Sequence, residues 1–113
     1  MLLAAAAAPP APLDAQLKRD IQCFTLYAIA VENQTDPKVK QGASLGVMYF
    51  FTKLRLEAPN LDLPAAVERE ANRIGEDPQL KAIGESCDVE FEAVGKSLLD
   101  LGLQMQGKPA TTT

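Results

Sequence analysis

Histidine and tryptophan are absent from this 113-residue chain. Without histidine there is no imidazole base, no imidazole metal ligand and no side chain whose ordinary pKa lies near neutrality, which removes most familiar enzyme sites. Cysteine occurs twice, at Cys23 and Cys87, far apart and outside any Cys-x-x-Cys or zinc spacing. Basic clusters are missing too: eleven basic residues are scattered among fifteen acidic ones, for a net charge of −4. That balance disfavours nucleic acid or an anionic membrane as partner. The apolar run from Cys23 to Val31 is far short of the ~20 residues that span a bilayer, so stable membrane insertion is not expected. No segment alternates as a strand does, and the one repeated feature is the Asp-Pro pair, at Asp36-Pro37 and Asp77-Pro78. The chain therefore reads as a single compact all-α domain of four helices, with no catalytic residue, no cofactor and no metal ligand assigned.

What is present is helical periodicity. Leu45 to Leu54 is the most hydrophobic aromatic run, and at 100° per residue Met48, Tyr49, Phe50 and Phe51 point in four directions, so this helix needs cover on two sides. A first helix is expected from Asp14 to about Asn33, with Leu17, Ile21, Phe24, Ala28 and Val31 on one stripe and Cys23, Leu26, Tyr27 and Ala30 on another. Asp36 caps and Pro37 opens a second helix, to about Leu56. Its stripe Val39, Ala43, Val47, Phe50 and Leu54 faces the core. Leu45, Met48 and Tyr49 remain as a candidate interaction face for a protein partner or a second copy in a homodimer, with a small apolar ligand as a further occupant. Gly42 and Gly46 each cost ~1 kcal/mol relative to Ala unless they admit a close neighbour, and so mark a helix crossing. Asp62 caps a short third helix ended by Gly75, with Leu63, Val67, Ala71 and Ile74 on its apolar edge and its other face on the surface. Asp77-Pro78 opens the fourth helix, to about Leu101. Its stripe is the cleanest: Leu80, Ile83, Gly84 and Cys87, then Phe91, Val94, Gly95 and Leu98.

The expected layout is a leader over 1–13, a helical domain over 14–102 and a disordered tail over 103–113. The Ala/Pro-rich head resembles the end of a secretory signal peptide without its basic leading region, which points to a periplasmic or secreted protein; the other reading is a disordered leader on a cytosolic one. The cysteines are either one disulfide or two buried thiols. Cys23 on the second stripe of the first helix and Cys87 at the centre of the fourth helix's stripe favour a bond between first and last helices, closing a loop worth on the order of 4 kcal/mol.

Three features suggest chemistry and lack its requirements. Gly42-Ala43-Ser44-Leu45-Gly46 matches Gly-x-Ser-x-Gly, but that elbow needs a strand-to-helix turn and a histidine base, and this one lies inside a helix. The acidic residues Glu85, Asp88, Glu90 and Glu92 lack the spacing of a calcium loop and read as a solvated face. Tyr27, Tyr49 and the phenylalanines are expected as core rather than as the lining of a ligand pocket.

At Gln22-Cys23, Asp36-Pro37, Met48 to Leu54 and Ala58 to Leu63, the chain resembles small exported helical proteins of alphaproteobacteria that are known only as uncharacterised. The resemblance spans roughly residues 14 to 101 and implies no activity. In architecture the chain is also similar to periplasmic acid-stress chaperones of the HdeA type, with Cys23-Phe24 and Cys87 with Phe91 in the corresponding places. The expected function is a non-catalytic exported binding or interaction module. The alternative that the second resemblance implies is a chaperone that exposes its second helix in acid. Protonating every carboxylate would take the charge from −4 to +11, and without histidine that loosening is expected at roughly pH 3–5.

Overall fold

The computed structural model describes residues 10–107, giving the backbone alone for 10–14. Most of the expected leader and tail lies outside the described residues. Four helices follow one another: α1 (Pro10–Asn33), α2 (Pro37–Glu57), α3 (Leu63–Ile74) and α4 (Leu80–Met105). No strand occurs among the described residues. α1 begins four residues before the expected start, its first turn tolerating Pro10 because the opening N–H groups of a helix have no intrahelical partner. α4 runs four residues beyond Leu101.

The helix starts follow from side-chain chemistry. Asp36 accepts the backbone N–H of Lys38 at 2.9 Å, with Pro37 in the first turn. Asp62 accepts the N–H of Ala65 at 3.2 Å ahead of Pro64. The second Asp-Pro pair departs from this pattern: Asp77 accepts the N–H of Gln79 at 2.8 Å and Leu80 bonds back to its carbonyl, so Asp77-Pro78 forms a turn and regular helix starts only at Leu80. Gly75 stands at the C-cap of α3 with ordinary right-handed φ, so its glycine character is not used there.

α1 is the hub, in contact with α2, α3 and α4. The second helix, whose apolar residues call for cover on two sides, is therefore not the centre of the bundle. Cys23, Asp20 and Thr25 of α1 are completely buried, the Thr25 hydroxyl donating to the Ile21 carbonyl at 2.8 Å. α2 buries one side only, through Ala43, Gly46, Phe50 and Leu54, while Leu45, Met48, Phe51 and Val39 stay exposed. Gly46 is where α1 and α2 touch most closely: a Cβ there would lie 2.8 Å from the Tyr27 ring. Gly42 has nothing within 4 Å of such a Cβ and is no part of the crossing. α3 turns Leu63, Ala66, Glu70 and Ile74 inward, leaving Ala71 exposed. The face rotates because Arg73 forms an ion pair with Glu70, which lets that carboxylate lie inside.

Cys23 and Cys87 form a disulfide across a Cα–Cα distance of 5.5 Å, joining the first and last helices. Around it lie Phe24, Leu26, Tyr27, Tyr49, Phe50 and Ile83. Tyr27 stacks on Phe50 with ring centres 5.8 Å apart, and Phe91 tilts against both Tyr27 and Tyr49 at 5.6 and 6.2 Å. These aromatics form core, and separations of this kind add ~1 kcal/mol per pair beyond the area they bury. The radius of gyration is 17.1 Å, above the ~13 Å of a tightly rounded chain of about 100 residues.

Candidate interaction surface

The surface is assembled where α4 crosses α1 and α2, and a polar clasp holds that crossing. Asp20 of α1 is completely buried and accepts hydrogen bonds from Lys53 of α2 at 3.1 Å and from Gln16 at 3.3 Å. The same Lys53 ammonium donates to Glu90 of α4 at 2.7 Å. Arg19 of α1 donates to Glu90 at 2.6 Å and reaches the Ser86 hydroxyl and carbonyl at 2.8 and 3.0 Å. Tyr49 donates its hydroxyl to the second Glu90 oxygen at 2.7 Å, and Tyr27 donates to Asp88. Three helices are thus tied by two cations shared between two carboxylates, and no buried polar side-chain atom among the described residues is left without a partner.

The clasp sets the charge states of its members. Burial would raise Glu90, but hydrogen bonds from Lys53, Tyr49 and Arg19 outweigh it and bring the carboxyl down to about 2. Burial would lower Lys53, yet its bonds to Glu90 and Asp20 hold the ammonium above its ordinary value. Tyr49 is pushed up to about 12, first by burial and then by the Glu90 carboxylate. Glu57, at the end of α2, is pushed up to about 7 by burial and then by the neighbouring Asp20 carboxyl.

Of the four acidic residues expected on a solvated face, Glu90 departs from it. Glu90 is anchored inside the clasp, while Asp88, exposed like Glu85 and Glu92, accepts the hydroxyl of the half-buried Tyr27. Sequence reasoning missed Asp20, Lys53 and Glu90 as a group because they lie on three helices. A signal existed: Asp20 falls three residues after Leu17 and four before Phe24, on the apolar stripe itself, where a charge needs a buried partner.

Leu45, Met48 and Tyr49 come together on one side of this clasp. They line a groove of about 410 Å³ between α2 and α4 whose opposite wall is Phe91, Val94 and Leu98. Tyr49 is half-buried, its ring edge-on to Phe50 at 4.8 Å. Leu45 and Met48 are 53% and 64% exposed. A second crevice, of about 450 Å³, lies between α1 and α4 beside the disulfide, under a rim of Lys81, Glu85 and Asp88. Among the described residues no group of three or more Cys, Asp or Glu side chains is placed to hold a metal ion. Among the same residues no helix is long and apolar enough to cross a membrane. No family model, no curated protein and no solved structure matches this chain.

Proposed function

We propose that this chain is a non-catalytic, exported helical interaction module whose contact surface is the groove between α2 and α4. The observation that carries the reading is the exposure of Leu45 and Met48 opposite Phe91, Val94 and Leu98. Apolar side chains gathered in one exposed patch mark a contact surface more often than side chains scattered singly. The groove is an open trough with Leu45, Met48 and Leu98 exposed along its rim, which suits a polypeptide segment better than a small molecule, since small-molecule sites enclose most of their ligand. The disulfide supports an oxidising compartment, periplasmic or extracellular, and kinship with small exported helical proteins belongs to the same proposal. A chaperone that bares this face only in acid would need it covered at neutral pH. In the single chain Leu45 and Met48 are open with the clasp intact, so such a switch would have to act by releasing whatever partner covers them rather than by unfolding α2.

The test is photo-crosslinking from a benzophenone side chain at position 48 in the native host. The expected product is a protein adduct, to another chain or to a second copy, whose yield falls with Leu45→Glu. Absence of any protein adduct from a folded, oxidised chain would overturn the reading.

A further inference from the structure

The apolar seam of α4 continues beyond the body of the protein. Leu80, Gly84, Cys87 and Phe91 are spaced by four, three and four residues, and Val94, Leu98, Leu101 and Met105 carry the alternation on without a break. This is a 3.5-residue repeat, the spacing with which two helices keep one seam in register. The first half of the seam has partners within the chain: Cys87 is bonded to Cys23, and Phe91 packs on Tyr27 and Tyr49. In the second half Leu98, Leu101 and Met105 are 64%, 52% and 79% exposed. No charge interrupts it, because Glu92, Lys96 and Asp100 lie on the opposite side of the helix.

Two glycines share this face, one ahead of the bare half and one within it. Gly95 and Gly102, seven residues apart, each cost ~1 kcal/mol in a helix interior. A Cβ at either would meet nothing within 4 Å, so no contact inside this chain calls for glycine there. A closely approaching helix would.

We propose that the occupant is a second copy of this chain, paired about a two-fold axis with the projecting half of each α4 laid against the groove and seam of the other. This deepens the interaction-module reading and rests on it. One chain carries both complementary parts side by side: the trough lined by Leu45, Met48 and Tyr49, and the ridge of Leu98, Leu101 and Met105. A surface holding both parts is what an isologous contact requires. The area points the same way. Leu45, Met48, Leu98, Leu101 and Met105 are each more than half exposed. At on the order of 100 Å² apiece they supply ~500 Å² of apolar surface, over half of the ~800 Å² per partner of a standard stable interface before any polar rim is added.

Sedimentation equilibrium of the oxidised full chain at micromolar concentrations is the test. The expected result is a monomer–dimer equilibrium whose dissociation constant rises at least 100-fold with Leu98→Glu or Leu101→Glu. Both variants should keep the wild-type circular dichroism and disulfide, since both sites are exposed, and Lys96→Glu on the back of α4 should leave the dimer intact. A chain monomeric up to several hundred micromolar overturns the proposal, while an adduct from position 48 to another protein would still sustain the interaction module. A dimer untouched by both leucine variants overturns the seam as its contact.

Discussion

The two halves of α4 carry one apolar repeat and meet opposite surroundings. From Leu80 to Phe91 the seam is bonded to α1 through Cys87, packed on two tyrosines and flanked by the Glu90 clasp. From Leu98, at the edge of the groove, to Met105 the same spacing is exposed. Periodicity thus determines which side of a helix is apolar, while the length of the neighbouring helices determines whether that side is covered from within. A stripe that outruns its own core is information about a partner.

The largest expected effect is at the disulfide. Replacing both Cys23 and Cys87 by Ala releases a loop with a sequence separation of 64 and should remove ~4 kcal/mol of a total near 5–10, measured by urea unfolding. Leu98→Glu on the same seam should change monomer stability by less than ~0.5 kcal/mol. Similar losses at the two sites would erase the distinction between the halves.

Lys53→Met comes next. It leaves Asp20 buried without its ammonium partner and deprives Glu90 of one cation, at a cost of ~3 kcal/mol. Urea unfolding of the variant should show that loss, and a change below ~1 kcal/mol would mean the clasp is not what holds α4 down.

Smaller and opposite effects are expected at two glycines. Gly46→Ala drives a methyl into the Tyr27 ring and should destabilise by ~1–3 kcal/mol. Gly95→Ala meets open space in the monomer and should raise its melting temperature, by up to ~1 kcal/mol in stability, while weakening self-association.

The smallest effect is with pH. Glu57, raised to about 7 in the folded chain, contributes stability that is present below its ordinary carboxylate pKa and is lost as pH rises through 7. Glu90, lowered to about 2, contributes stability present above its ordinary pKa and lost as pH falls towards 2. The melting temperature should therefore rise slightly from pH 8 to about 5 and drop below about 4. Glu57→Gln should abolish the rise and leave the acid drop in place. A monotonic decline from pH 8 downward would contradict the Glu57 assignment, and a melting temperature unchanged between pH 5 and 2 would contradict that of Glu90.

Much of the frame was legible in the sequence because its causes are local. Asp36-Pro37 and Asp62 with Pro64 announce helix starts through capping chemistry, and the cysteines sat on stripes whose pairing fits one bond. The positions that escaped notice depend on distant partners. Asp20 lies 33 residues from Lys53 and Glu90 lies 37 beyond it, so the clasp exists only after three helices cross. The role of α1 as hub was hidden for the same reason, since a stripe specifies a face and not its neighbour. Leu45, Met48 and Tyr49 could be singled out by subtraction from the core stripe of α2, but the opposite wall of their groove comes from α4 and required its crossing angle.

Hydrogen exchange read segment by segment at two protein concentrations addresses the difference between the halves most directly. Amides from Leu80 to Phe91 should be strongly protected at both concentrations and lose protection on reduction of the disulfide. Amides from Leu98 to Met105 should exchange rapidly in dilute protein and become protected as concentration rises into the dimer range. Equal, concentration-independent protection along the whole of α4 would contradict the account.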